Sequence, residues 1–354
     1  MKRTALVRAA LCTAASFSAF GCLTGVPEEE LPDESIAFTY RTEEEARRRA
    51  EDIKEQAERA GEGDLRGRRA GYRGRRNDLV ATSEDVRGFF ERAFGATQGG
   101  AGQHLGRLSL FDPRSGEVFP VVAARRGSIA LAWSRDHSRL LFAQPGQGDY
   151  QIHEFDLRSE TVRPITHGPF AHTQGCYGAD GRIVVAVVDH RAPQVQSHIA
   201  ISGPGGRRPF RKLTEGPADH TPACAPDGSM IVFVQEPDPP RAQLSVVETR
   251  PGAAPRPLSA GRHPSFSPEG EWIAFSAPFR RELRVWRIRP DGTGRAPIGR
   301  GRNSEARPSF SPDGRLVVYV TAEDPPRRRL YVRRFDGSGD RILFSGGDGE
   351  YPVW

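Results

Sequence analysis

The sequence predicts an all-β protein, a six-bladed β-propeller that is closed by both termini and preceded by a signal peptide and two short helices. Three observations lead to this fold class. A phrase of apolar strand, Asp-Gly turn and apolar strand recurs along the chain. The 354 residues include 39 Gly and 29 Pro, which favours many turns over long helices. The two ends of the chain also carry complementary parts of one further repeat.

The repeated phrase is clearest in RPSFSPDGRLVVYV, which runs from Arg307 to Val320. Proline presets φ in its turn, aspartate closes the turn with its side chain, and glycine accepts a positive φ. Further strand-forming segments follow each turn, so a repeat supplies four antiparallel strands in roughly 44 residues, the size of one propeller blade. The five copies have their turns at Asp136, Asp180, Asp227, Glu269 and Asp313.

The chain ends predict how the ring closes. Residues Gly106–Val122 form a third strand, a turn and a fourth strand with no opening strand ahead of them, whereas Asp348–Trp354 form an opening strand with nothing after it. Together they make a sixth blade, which leaves no free sheet edge. The propeller is therefore expected to span residues 105–354.

The phrase PxFSPDGxxIAF resembles the WD40-like (PD40) repeat of the TolB-type β-propellers over residues 105–354. This resemblance implies a six-bladed propeller. TolB-type proteins have an α/β domain ahead of the propeller. Here only about 80 residues, mostly charged helix and linker, lie between the signal peptide and the propeller, so the partnership of TolB with the peptidoglycan-associated lipoprotein does not carry over. Similar propellers accompany prolyl oligopeptidases, but this sequence has no Gly-x-Ser-x-Gly elbow of their hydrolase domain.

The N-terminus predicts export. Residues 1–21 combine a basic start with a short apolar stretch, as in a signal peptide. Ala19-Phe20-Gly21-Cys22 resembles the lipobox of bacterial lipoproteins, which implies lipidation of Cys22 and an outer-membrane location, since Leu23 is not the retention aspartate. Plain secretion and an uncleaved anchor remain alternatives. The acidic, proline-punctuated residues 22–41 are predicted to be a tether.

Three segments are predicted between the tether and the propeller. Residues 42–61 should form a charged helix with a Thr42–Glu45 capping box, serving as a solvated spacer or a weak docking helix. Residues 62–82, with no acidic residue from Arg66 to Arg76, form an Arg/Gly-rich linker that could contact anionic lipid or cell-wall polymers. Residues 83–95 should form an amphipathic helix whose phenylalanines pack on the propeller.

Side chains just before the opening strands could ring one mouth of the central channel. Such a ring could bind an anionic group, a peptide carboxylate or a metal, or its members could simply be solvated turn residues. The candidates are His172, His220, His263, Arg307 and Tyr351.

Cys176 and Cys224 occupy similar places in neighbouring blades. We expect them to face separate inter-blade cores as small buried apolar side chains, with a disulfide as the alternative. The Asp-Gly aspartates fit turn chemistry rather than a calcium loop, and His153 lacks a second histidine four residues on. We therefore predict no catalytic residues, no metal and no cofactor.

These features predict a function class. We expect a monomeric, lipid-anchored envelope protein whose propeller binds or scaffolds another envelope protein on the periplasmic side, and not nucleic acid. The alternatives are a glycan- or peptide-binding propeller and a hydrolase or lyase that uses the channel mouth. No Ser/His/Asp or paired-carboxylate pattern favours an enzyme.

Overall fold

The structure is a computed structural model and describes residues 25–48, 51, 106–146, 149–192, 195–236, 242–280, 282–299, 304–322 and 328–354. Its strands form six four-stranded antiparallel sheets, which are the blades of a β-propeller. The predicted all-β, six-bladed propeller closed by both termini is confirmed. No helix among these residues is long and apolar enough to cross a membrane.

The strands follow the blades in chain order. The closing blade contains β1 (Ile36–Arg41), β2 (Arg107–Phe111), β3 (Val118–Pro120) and β24 (Asp348–Val353). Blade 1 contains β4 (Ile129–Trp133), β5 (Arg139–Pro145), β6 (Tyr150–Asp156) and β7 (Thr161–Pro164). Blade 2 contains β8 (Ala171–Tyr177), β9 (Ile183–Asp189), β10 (Gln196–Ile201) and β11 (Arg211–Lys212).

The other three blades repeat this pattern. Blade 3 contains β12 (Asp219–Cys224), β13 (Met230–Gln235), β14 (Gln243–Glu248) and β15 (Arg256–Ala260). Blade 4 contains β16 (Arg262–Phe266), β17 (Ile273–Phe279), β18 (Glu282–Ile288) and β19 (Ala296–Pro297). Blade 5 contains β20 (Ser304–Phe310), β21 (Leu316–Ala322), β22 (Arg328–Arg334) and β23 (Asp340–Phe344).

The blades close into a ring around a channel. Each opening strand (β4, β8, β12, β16, β20 and β24) contacts the opening strands of both neighbouring blades, so these six strands are innermost. The fourth strands are the most exposed. We call the face where the opening strands begin the mouth face, and the face with the Asp-Gly turns the turn face.

The Asp-Gly turns have the predicted chemistry. Asp313 accepts hydrogen bonds from the Ser311 hydroxyl (2.7 Å) and the Arg315 amide (3.0 Å), and Gly314 has a φ of 71°. Asp136 accepts bonds from the hydroxyls of two serines, which hold the pKa of its carboxyl down at about 2. These aspartates are therefore structural turn residues.

Apolar side chains from facing blades form the cores between them. Between blades 2 and 3, Val184 and Ile199 pack against Ile231 and Phe233, and all four are essentially inaccessible. Burying one such side chain stabilises the fold by about 1.5–3 kcal/mol. A blade lacks these contacts when alone, so the ring is the folding unit.

The closing blade corrects the prediction of a tether over residues 22–41. Ile36–Arg41 form β1, the second strand of this blade, between β24 and β2. The sequence ahead of this segment is acidic and rich in proline, and for that reason sequence alone assigns the β-forming residues of Ile36–Arg41 to the tether. The propeller therefore starts well before residue 105.

Residues 25–35 are also packed rather than extended into solvent. Val26 and Leu31 are buried in the core between blade 5 and the closing blade. The Arg334 guanidinium donates two hydrogen bonds to the Glu30 carboxylate (2.8 and 2.7 Å) and thereby lowers the pKa of that carboxyl. Arg334 ends β22, so this segment runs along the turn face of blade 5.

The two predicted helices belong to an insertion, because β1 and β2 are paired neighbours and residues 42–106 connect them at the mouth face. Helical structure begins at residue 43, and the capping box is present: the Thr42 amide donates to Glu45 Oε2 (3.0 Å) and the Glu45 amide to Thr42 Oγ1 (3.2 Å). Arg126, which precedes blade 1, pairs with Glu45 at 2.8 Å. The rest of the charged helix, the linker 62–82, the helix 83–95 and the signal peptide with Cys22 lie outside the described residues.

The two cysteines form a disulfide, with Cα atoms 5.8 Å apart, so the prediction of separate cores is wrong. Cys176 lies four residues before Asp180, whereas Cys224 lies three before Asp227, and therefore Tyr177, not Cys176, matches Cys224 in register. Successive residues of a strand point to opposite faces of a sheet. Cys176 consequently faces blade 3 while Cys224 faces blade 2, and the two sulfurs meet in the core between these blades.

Candidate functional site

The opening strands of four consecutive blades carry the same backbone irregularity at the channel. A β-bulge interrupts each strand, and at each bulge one non-glycine residue has a positive φ. We call these four residues the bulge arc: Thr221 (φ 49°), His263 (φ 52°), Arg307 (φ 57°) and Tyr351 (φ 54°). A left-handed non-glycine residue costs of order 1–3 kcal/mol and persists only where its surroundings impose it.

Sequence and packing explain how the bulges are held. A buried proline follows each arc residue: Pro222, Pro264, Pro308 and Pro352. Neighbouring blades brace the backbone, since the Thr221 amide donates to Gln174 Oε1 at 2.5 Å and the Arg307 amide to Ser276 Oγ at 3.0 Å. The arc side chains themselves are half-buried. Bulges re-aim side chains at the rims of barrels and beside functional sites.

Two arc members are in direct contact. The Arg307 guanidinium carbon lies 3.9 Å from the centre of the Tyr351 ring, a cation–π arrangement. Together with its braced backbone, this stacking fixes the position of the Arg307 charge in the channel. The two side chains come from adjacent blades, as the sequence predicted.

His263 lies between Arg307 and blade 3. Its Nδ1 is shielded from solvent and has no hydrogen-bond partner among the described residues. Burial, followed by the positive charges of Arg307 and Arg262 and by His220, holds the pKa of His263 well below its usual value. The imidazole is therefore neutral at physiological pH and lies in positive surroundings.

His220 precedes the bulge and belongs to a different set of contacts. Its Nε2–H donates to Glu236 Oε2 (3.3 Å), and its Nδ1 lies 2.8 Å from Thr221 Oγ1. Arg262 also pairs with the buried Glu236. Burial alone would raise the pKa of Glu236, but the hydrogen bond from His220 and the charge of Arg262 lower it. Glu236 is therefore a neutralised carboxylate beside the arc.

His172 lies outside the arc. It is buried in blade 2, and its Nδ1 is 3.1 Å from Gln151 Oε1 in blade 1. Burial lowers its pKa to about 4. Its place in a bonded contact between blades indicates a structural role.

The structure thus brings together three of the five predicted residues, places His220 beside them and separates His172. Sequence reasoning missed Thr221, Arg262 and Glu236. A usable signal was the residue before proline at one repeat position, which gives Thr-Pro, His-Pro, Arg-Pro and Tyr-Pro in blades 3 to 5 and the closing blade. Within the described part of the chain, no three His, Cys, Asp or Glu side chains are grouped so that they could hold a metal.

Comparison with known proteins gives local sequence similarity. No family model matches the sequence. An uncharacterised protein of Agrobacterium fabrum is 33% identical over 102 residues, and a TolB homologue of Chlorobium luteolum is 30% identical over 103 residues. These matches cover 26% and 29% of this chain. They span only 35% and 23% of those relatives' own lengths.

Solved structures share the fold. TolB from Acinetobacter baumannii superposes with a TM-score of 0.59 at 19% identity, over 70% of this chain and 62% of that one. A TolB described from Agrobacterium tumefaciens gives 0.58 at 21% identity, over 68% and 89%. Oligogalacturonate lyase from Vibrio parahaemolyticus gives 0.50 at 12% identity, over 68% and 71%. Since that lyase shares the architecture, the fold alone does not separate binding proteins from enzymes. The repeat, the six closed blades and these similarities together show that the chain folds as a six-bladed β-propeller, a fold that it shares with TolB.

Proposed function

We propose that this protein is an exported, non-enzymatic binding module of the cell envelope, which engages another envelope protein through its mouth face and is anchored by a lipid on Cys22. The observation that carries the binding role is the bulge arc. Four adjacent blades hold non-glycine residues at positive φ around the channel, and such strain concentrates at functional sites.

The disulfide supports export. Disulfides persist in oxidising compartments such as the bacterial periplasm and are rare in the cytosol. The Cys176–Cys224 bond joins two blades across a buried core. The similarity to a TolB homologue favours the same placement.

The packed N-terminal segment gives the proposal an orientation. Gly25 lies against Asp340 on the turn face, and Val26 is buried. Gly25 is three positions after Cys22, a stretch that an extended chain spans in about 10 Å. A lipid on Cys22 would therefore hold the turn face of blade 5 close to the bilayer. The mouth face would lie about 20 Å further out, the length of a six- or seven-residue strand.

The experiment uses tagged full-length protein in cells, with a Cys22→Ala variant beside it. After crosslinking and purification, we expect the wild type to be captured together with a defined envelope protein. We also expect the wild type to fractionate with membranes and Cys22→Ala to lose this association. Equal fractionation of the two proteins would refute the lipid anchor. Failure to capture any protein, together with specific retention on a glycan column, would replace the proposed partner with a glycan.

A further inference from the structure

The three channel histidines differ in how their ring nitrogens are used. Both nitrogens of His220 have neighbours within hydrogen-bond distance, and Nδ1 of His172 faces a glutamine oxygen. Of these three histidines, only His263 has a shielded ring nitrogen, Nδ1, without a hydrogen-bond partner in the described part of the chain. Buried polar groups are normally hydrogen-bonded, so an exception calls for an explanation such as a ligand.

The charged side chains around His263 determine whether a cation or an anion would bind there. Arg262 precedes it on the same strand, Arg307 approaches from blade 5, and His220 approaches from blade 3. The nearby carboxylate, Glu236, already accepts bonds from His220 and Arg262. A cation at His263 Nδ1 would therefore be repelled, whereas an anion would be attracted.

The geometry of Arg307 indicates which chemical class of anion would bind. Its guanidinium is a planar fork that matches the two oxygens of a carboxylate. Stacking on Tyr351 at 3.9 Å holds this fork, and the amide bond to Ser276 holds its backbone. A site that is ordered before binding loses less conformational freedom when the ligand arrives.

We propose that the bulge arc binds a carboxylate group, with His263 Nδ1–H donating to one oxygen and the Arg307 guanidinium to the other. This inference rests on the proposed function and specifies its chemistry: the envelope partner inserts a carboxylate into the channel mouth. The carboxylate can be the C-terminus of a chain or the side chain of an aspartate or glutamate. Tyr351 forms the wall behind Arg307.

The test titrates the purified, exported form of the full chain with acetate and follows the histidine side-chain signals by NMR. The signal of His263 is the one that is missing from the spectrum of a His263→Gln variant. We expect acetate to shift this signal in a saturable way. Arg307→Gln should weaken acetate binding at least tenfold. Arg315→Gln removes an equal charge on the turn face, where Arg315 pairs with Asp313, and should leave the affinity unchanged.

Further probes distinguish the kinds of anion and the source of the carboxylate. Inorganic phosphate should bind more weakly than acetate, and tighter phosphate binding would overturn the carboxylate assignment. A tetrapeptide with a free C-terminus that competes better than its amide assigns the C-terminal carboxylate, whereas equal competition by an internal aspartate assigns a side chain. A linear acetate response, or one unchanged by Arg307→Gln, refutes the site.

The two proposals fail separately. If a partner is captured equally well by wild type and by Arg307→Gln, and acetate does not bind, the carboxylate site is wrong and the envelope role stands. If acetate binds as described but no envelope protein is captured, the site stands and the protein partner is wrong. Circular dichroism of both variants shows whether the propeller remains folded.

Discussion

Arg41 links β1 and β24, which come from the two ends of the chain. Replacing Arg41 by methionine should therefore lower the free energy of unfolding of the propeller. Its Nη1 donates to Asp348 Oδ2 (3.0 Å) and Glu350 Oε2 (2.6 Å), which belong to β24. All three residues are at most 6% exposed. Arg41→Met would leave two buried carboxylates, of which Glu350 keeps its ion pair with the partly exposed Arg328.

The cost follows from that burial. Breaking a buried ion pair by removing one partner costs about 3–5 kcal/mol, because the remaining charge stays desolvated. Arg48→Met removes an ion pair with Glu44 in which both side chains are more than half exposed, so it should cost less than about 1 kcal/mol. Adding Asp348→Asn and Glu350→Gln to Arg41→Met removes the two carboxylate charges that Arg41 neutralises in the wild type and should restore at least half of the loss.

Equilibrium unfolding in urea, followed by tryptophan fluorescence, measures these differences. Trp354 and Trp133 report on the closing blade, since the Trp133 indole donates to the Val353 carbonyl (3.2 Å) and the Trp354 indole to that of Glu34 (2.9 Å). We expect a lower midpoint for Arg41→Met with an unchanged slope. A loss no greater than that of Arg48→Met would refute the reasoning that buried charges from both termini hold the ring closed.

Two further predictions concern stability. Replacing Cys176 and Cys224 by alanine removes a crosslink between residues 48 apart in sequence and should lower the free energy of unfolding in urea by up to about 4 kcal/mol. A reductant should destabilise the wild type but not this double variant. Equal effects of the reductant on both proteins would contradict the disulfide. Burial lowers the pKa of His172 from 6.5 to about 4. The unfolded chain therefore takes up this proton first as the pH falls, which should remove about 3 kcal/mol of stability between pH 6.5 and 4. His172→Gln should lack this part of the pH dependence, and parallel profiles of the two proteins would show that His172 is not desolvated.

The repeat made most of the fold predictable. A turn with Pro, Asp and Gly needs those residue types locally, so each copy marked the end of one strand and the start of the next. The opening strands end at the predicted large residues, Trp133 and Phe310 among them. The period then required six blades once the two ends were joined.

What escaped prediction depends on tertiary contacts. β1 lies far from β24 in sequence, and only their pairing shows that Ile36–Arg41 belong to the closing blade. Cys176 lies four residues before its turn aspartate and Cys224 only three before its own, so the two side chains point toward each other's blade, but only the packing of the two blades shows that the sulfurs meet. Strand register decides which face a side chain takes, and register is fixed by pairing rather than by local sequence.

The candidate site was predictable in part for the same reason. His263, Arg307 and Tyr351 stand at one repeat position, so sequence alone could place them together. His172 was included because its residue type and approximate position were right, although it stands two residues ahead of the arc position, which Gln174 occupies in blade 2. Glu236 is not part of the repeated sequence motif, and its role is evident only from its contacts with His220 and Arg262.

If the mouth face binds an envelope partner while the turn face lies toward the membrane, the two faces should differ in what they contact in the cell. The most direct measurement places a photo-crosslinking amino acid in living cells either at Phe279, which is 42% exposed at the mouth face, or at Ser338 in a turn on the opposite face. We predict that Phe279 crosslinks to one defined envelope protein and that Ser338 does not. Crosslinking of that protein from Ser338 alone, or from neither position, would show that the mouth face is not the binding surface.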